Sequence, residues 1–189
     1  MKKNWVVLFS QTGSEIVRLQ KHTGRWPDKI FTNNSDIETW HPKMRQLHKL
    51  GLSSQSGKSR VNIVNNLQAK TCNFLHNVKK DSLITLHGWL RIIPGDICKQ
   101  YELVNGHPGL INTYPDLKGK DPQIRAYDSN YGVIGSVVHR VTPIVDDGNI
   151  LTYTAIYRET KDTLEDVFEK LAFISLSHGK SFLIIYNRL

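Results

Sequence analysis

A chain of 189 residues with 39% hydrophobic and 22% charged side chains is ordinary globular material, long enough to bury a core as one domain. Its formal charge of +8 points to anionic partners, and because the lysines and arginines form no long run and no aromatic–basic repeat, small anions are favoured over a nucleic-acid groove. No apolar stretch approaches the ~20 residues that span a bilayer, the Met1-Lys2-Lys3-Asn4 start is no signal peptide, and Cys72 and Cys98 lack metal or disulfide-framework spacing, so a cytoplasmic protein without membrane or metal is expected.

Trp5-Val6-Val7-Leu8-Phe9 is a short continuous apolar run, as a central parallel strand requires. Small residues follow, with Thr12, Gly13, Ser14 and Glu15 leading into the helical spacing of Ile16 to Leu19. A strand, a tight turn and a helix start leave free backbone N–H groups where an anion can sit, although a plain connection reads the same way. Lys29-Ile30-Phe31-Thr32 and Val61-Asn62-Ile63-Val64 read as further strands, with a helix expected over residues 42–50. Residues 51–59 look like a P-loop but carry one residue too many and follow no strand, which makes them a surface loop. Residues 69–79 have helical spacing, and Ser82-Leu83-Ile84-Thr85-Leu86-His87 is a buried strand rich in β-formers.

That strand delivers Gly88-Trp89-Leu90-Arg91-Ile92-Ile93 at its carboxyl end, where open α/β sheets place ligands. Pro94-Gly95 starts a short helix to Tyr101, and Leu103-Val104 is a brief strand feeding Asn105. Residues 114–119 read as a loop, residues 122–127 as a helix opened by Pro122, and residues 133–141 as a long strand with one less-buried face. A loop with Asp146 and a strand over residues 150–157 follow. An amphipathic helix then starts at Asp162 or Thr163, with Gly179 placed to break it. The pattern as a whole is α/β: a Rossmann-like, mostly parallel open sheet flanked by helices.

Two turns carry chemistry. Asn105-Gly106-His107-Pro108-Gly109-Leu110 offers an amide for a developing oxyanion and an imidazole that titrates near neutral pH. Val145-Asp146-Asp147-Gly148 offers a carboxylate to orient His107 and raise its pKa. Each is also an ordinary turn signal, Asn-Gly and Asp-Asp-Gly especially.

The stretch over residues 86–151 resembles the folate-dependent formyltransferases, among them glycinamide ribonucleotide formyltransferase and the catalytic domain of methionyl-tRNA formyltransferase. The likeness rests on four motifs in matching order and spacing. They are Gly88-Trp89-Leu90-Arg91-Ile92-Ile93; Asn105 to Leu110; Tyr114-Pro115, Gly119 and Gln123-Ile124-Arg125-Ala126; and Gly135, Val138-His139-Arg140-Val141, Asp146 and Gly148. The resemblance implies the formyltransferase fold, 10-formyltetrahydrofolate as donor and no metal. It implies Asn105, His107 and Asp146 as the catalytic set. Folate contacts would come from Leu90, Arg91, Ile92, Ile93, Ile97 and Val141, with Arg91 and Ile93 acting through the backbone. His139 would be structural or support the catalytic set.

By the same resemblance, residues 12–15 would hold the acceptor's phosphate, but Gln11 and Glu15 replace a Gly and an Asn of the family pattern. A carboxylate there occupies the helix start itself. The reaction implied is attack of a neutral amine on the formyl carbon. Asn105 and protonated His107 would stabilise the oxyanion, while Asp146 holds His107 and helps take the amine's proton. Two adjacent parallel strands would bring His107 and Asp146 to one sheet edge. Glycinamide ribonucleotide is the nearest acceptor, because no C-terminal tRNA-binding barrel is expected within residues 1–189. The alternatives are an amino-sugar nucleotide acceptor, a formyltetrahydrofolate deformylase (usually with an added N-terminal domain), and a nucleic-acid-directed protein on the same fold.

Overall fold

A computed structural model describes residues 3–53 and 59–187, in two compact units that divide between residues 103 and 104. Residues 54–58, in the middle of the P-loop-like stretch, lie outside the described residues, as do residues 188 and 189 of the C-terminal segment.

The first unit is a parallel α/β layer. Strands β1 (Trp5–Phe9), β2 (Lys29–Thr32), β3 (Val61–Ile63) and β4 (Leu83–His87) lie in the order β3-β2-β1-β4, every pair parallel. All five residues of β1 are buried, as a strand with partners on both sides demands. The connections run through helices α1 (Ser14–Thr23), α2 (Pro42–Leu52) and α3 (Asn66–Thr71), with α4 (Gly95–Gln100) after β4. The helix expected over residues 69–79 is instead broken in two at Cys72, whose left-handed backbone (φ 53°) ends α3 before a 3-10 turn at Asn73–Asn77.

The second unit is antiparallel. Strand β5 (Glu102–His107) runs into it, and β6 (Val133–Arg140) pairs antiparallel with β5 on one side and with β7 (Ile150–Tyr157) on the other. Helices α5 (Pro122–Asp128) and α6 (Leu164–Asn187) complete it. Three expectations change here. Asn105 and His107 sit within β5 rather than in a turn, because the ladder to Val137–Arg140 claims them. β6 has no open face, since residues 134–139 are all buried. And α6 continues through Gly179.

The reason α6 continues is packing, which outweighs the ~1 kcal/mol helix cost of one glycine. Val167, Leu171 and Ile174 join a core with Leu110, Leu117, Ala126, Ile134 and Val137, and His178, Phe182 and Leu183 extend the same buried stripe. Thr163 caps the helix: its hydroxyl accepts from Asp166 N at 3.2 Å while Asp166 Oδ2 accepts from Thr163 N at 2.8 Å.

His178 is buried between the hydroxyls of Ser136 on β6 (3.2 Å) and Thr152 on β7 (3.1 Å), and burial pushes its imidazole below the ordinary range. Unfolded histidine titrates near ~6.5, so on acidification the unfolded chain takes up its proton first. The stabilisation from neutral His178 is therefore complete above about pH 6.5 and is lost as pH falls through the folded value. His178→Gln is expected to flatten the fall of the urea midpoint between about pH 7 and 5. A slope equal to that of the wild type would show that His178 is not the group responsible.

Candidate active site

The second unit gathers three side chains that the sequence scatters over 42 positions, Asn105, His107 and Asp146. Asn105 and His107 share one face of β5, two residues apart. His107 is 5% exposed, and Gly109 makes room for its ring: a Cβ there would lie 3.1 Å from Nε2 and 3.0 Å from the Pro122 side chain. Asp146 arrives from the β6–β7 loop rather than from a neighbouring parallel strand. Because β5 and β6 are antiparallel, the end of β6 lies beside the start of β5, so the loop must fold back to reach His107. It does so through Arg140 N, which donates to Asn149 O at 2.9 Å, and through Gly148, where any Cβ would overlap the Arg140 carbonyl. Asp146 itself takes the left-handed conformation (φ 51°), a conformation tolerated by few side chains besides Asn and Asp.

Asp146 Oδ2 lies 3.2 Å from His107 Nδ1 and accepts from Gly119 N at 2.8 Å, while its Oδ1 lies 3.3 Å from His139 Nε2. Burial pushes this carboxyl up, but the hydrogen bond to His139, the His107 ring and the Gly119 N–H together hold it below the usual carboxylate range. His139, across the ladder from Asn105, directs Nδ1 at Arg140 O (2.9 Å) and Nε2 at Asn105 Nδ2 (3.2 Å). Its expected supporting place beside the catalytic candidates is where the geometry puts it.

The other nitrogen of His107, Nε2, lies 2.8 Å from Leu117 O. Both ring nitrogens thus face acceptors. Burial nevertheless dominates and sets the imidazole below its ordinary range; Asp146 and the Leu117 carbonyl pull upward, and His139 and Arg125 push down. The expectation that Asp146 raises the His107 pKa holds for that one pair and fails for the sum.

In the first unit the β1–α1 turn and the segment after β4 come together. Ser10 N donates to Gly88 O at 3.2 Å, and Leu90 N donates to Ser10 Oγ at 2.9 Å. Leu90 and Ile92 present 61% and 62% of their surface, whereas Ile93 and Ile97 are buried, so of the expected apolar slot only the first two stand open. Arg91 folds its guanidinium back on Leu90 O at 3.0 Å. Val141 lies in the second unit, immediately after β6. Thr12 to Glu15 form the turn and first residues of α1, with Gly13 left-handed (φ 70°).

Glu15 is 48% exposed and pairs its Oε1 with His87 Nδ1 at 3.1 Å. His87 Nε2 in turn lies 2.9 Å from Thr85 Oγ1, which accepts from the buried Trp5 indole at 2.9 Å. Sequence reading placed Glu15 here and missed its partner, although the β-period of Thr85 and His87 on one face was readable. It missed Leu117 O and Gly119 N as well, and no side-chain pattern signals a main-chain group.

The model of a family described as formyl transferase matches residues 3–177. Phosphoribosylglycinamide formyltransferase of Bacillus subtilis (strain 168) is 32% identical over 99 residues, 51% of this chain and 48% of that enzyme. Formyltetrahydrofolate deformylase 2, mitochondrial, of Arabidopsis thaliana is 29% identical over 98 residues, 51% of this chain and 29% of that protein. The matched stretch therefore spans about half of the first relative and less of the second. Among solved structures, phosphoribosylglycinamide formyltransferase from Anaplasma phagocytophilum superposes with a TM-score of 0.76 at 21% identity, covering 100% of this chain and 88% of that one. At that identity the likeness speaks for the fold.

Proposed function

The chain belongs to the formyl transferase family, and from this membership we propose that it moves a formyl group from 10-formyltetrahydrofolate to the amine of a small acceptor, with glycinamide ribonucleotide the first candidate. The observation that carries the reading is Asp146, which meets His107 at 3.2 Å and His139 at 3.3 Å, with Asn105 on the same histidine. A neutral amine attacks the formyl carbon, a tetrahedral oxyanion forms, and tetrahydrofolate leaves through N10 as the formamide is released. The amine loses one proton and N10 gains one. Burial sets the His107 imidazole below its ordinary range, so the ring can act as base: with Nε2–H on Leu117 O, the proton passes to Nδ1, and the resulting imidazolium is paired with Asp146 Oδ2. The Asn105 amide has two N–H groups, one of which can donate to the oxyanion. Exposed Leu90 and Ile92 support an apolar ring seated after β4, as a pterin would be.

Tetrahydrofolate release from 10-formyltetrahydrofolate, with and without glycinamide ribonucleotide, tests this. Release that requires the ribonucleotide supports the transferase, and release without any amine supports a deformylase. Neither outcome leaves both readings standing. Glu15 adds a sharper comparison, because a carboxylate in the first turn of α1 opposes a phosphate placed there. Glu15→Asn is expected to lower KM for glycinamide ribonucleotide about tenfold, roughly 1.4 kcal/mol, with KM for the folate unchanged. An unchanged KM for the ribonucleotide would remove residues 12–15 from acceptor binding.

A further inference from the structure

The guanidinium of Arg125, on α5, donates to three successive carbonyls of the segment before it. Nη1 reaches Asp116 O, while Nη2 reaches Leu117 O at 3.2 Å and Lys118 O at 2.9 Å. The middle carbonyl is the one that faces His107 Nε2 at 2.8 Å, and the next residue, Gly119, donates its N–H to Asp146. One short segment thus meets both halves of the His107–Asp146 pair. The Leu117 side chain is anchored in the core, which fixes the segment from the other side. Tyr131 OH on Asp116 Oδ2 (3.0 Å) and Lys118 Nζ on Asp147 Oδ1 (2.5 Å) tie its flanks.

Three carbonyls converging on one side of a turn repel one another unless a cation with several donors lies among them. A planar guanidinium supplies that geometry, and an ammonium supplies the charge without the fork. A carbonyl oxygen has two lone pairs, so Leu117 O can accept from Arg125 and from His107 together. The Nε of Arg125 is buried without a partner among the described residues, which shows that the side chain is placed for its Nη contacts and not for its own full satisfaction.

We propose that Arg125 is a positioning residue for the reaction: by clamping the carbonyls of residues 116–118 it holds Leu117 O on His107 Nε2 and Gly119 N–H on Asp146. The proposal rests on the formyl-transfer reading for its kinetic consequence, and on geometry alone for its structural one. Arg125 touches no reacting atom. It acts by setting where the imidazole points and which nitrogen carries the proton.

The test follows the His107 imidazole in the full chain labelled with 15N, its signal assigned by its absence in His107→Ala. In the wild type the Nε2 proton, bonded to Leu117 O, is expected to exchange slowly with water. In Arg125→Met its exchange is expected to quicken about tenfold or more, with the backbone spectrum otherwise retained and Arg125→Lys lying between. In parallel, kcat for formyl transfer is expected to fall ~10–100-fold, as for other supporting residues, with KM for the folate within about threefold. A protected Nε2 proton in Arg125→Met overturns the clamp, and faster exchange with unchanged kcat overturns its role in the reaction. Should Arg125→Met fail to fold, Arg125→Gln carries the same reading, because its amide reaches one carbonyl rather than three. If the chain proves not to transfer formyl groups at all, the exchange measurement still decides whether Arg125 sets the ring.

Discussion

Alanine at position 107 is expected to lower amine-dependent release of tetrahydrofolate by about 1,000-fold or more. Two contributions vanish together, a proton acceptor worth ~100-fold or more and a group that adds positive charge beside the oxyanion, worth ~100-fold. They belong to one imidazole, so they do not simply multiply. His139, the other histidine beside Asp146, is not placed to take over: it directs Nδ1 at Arg140 O, its Nε2 lies against Asn105 and Asp146, and it stands on the neighbouring strand. Folding should survive, because the vacated space lies at the glycine-lined end of β5 and Asp146 keeps both Gly119 N–H and His139. The assay is the steady-state release of tetrahydrofolate at saturating folate, with circular dichroism to confirm the fold. Activity within about tenfold of the wild type would sink His107 as the group that takes the proton.

The second large effect concerns charge without shape. Asp146→Asn keeps the side-chain volume and an oxygen for Gly119 N–H, and asparagine tolerates the left-handed backbone (φ 51°) found at this position. What it removes is the negative charge 3.2 Å from His107 Nδ1, the main electrostatic pull toward the imidazolium. The His107 pKa, already below its ordinary range, therefore moves further down, and the ring becomes a poorer base for the attacking amine. A loss of about 100-fold in kcat/KM is expected, with KM for the folate little changed. Activity within about threefold of the wild type would show that Asp146 neither holds nor assists His107.

Much of this arrangement is legible in the amino-acid sequence alone. The parallel strands of the first unit announce themselves as unbroken apolar runs, because a strand buried on both faces has no polar side to interrupt it. The order and spacing of the motifs from Gly88 to Gly148 named Asn105, His107 and Asp146, which the second unit brings together. The route was misjudged. Turn signals such as Asn105-Gly106 are local preferences, and pairing with Val137–Arg140 overrode them. Strand direction leaves no mark in composition, so parallel neighbours were assumed where β5 and β6 run opposite ways. Gly179 and Cys72 erred in opposite directions: a buried stripe carried α6 through the glycine, and a left-handed cysteine stopped α3 early. The Glu15–His87 pair is a contact between residues 72 positions apart, and nothing in either local sequence required it.

Three of the contacts around His107 and Asp146 end on main-chain atoms: Leu117 O, Gly119 N and, at one remove, Arg140 O. Every amino acid except proline carries the same pair of groups, so a substitution there leaves the contacting atoms present, and it acts only by shifting them. In the span from Tyr114 to Gly119 the length therefore matters beside the side chains, of which Leu117 is held in the core and Gly119 takes a positive φ (86°). Deleting a single residue there would slide the carbonyl off His107 and the N–H off Asp146 in one step, an outcome that few single replacements within the span could match.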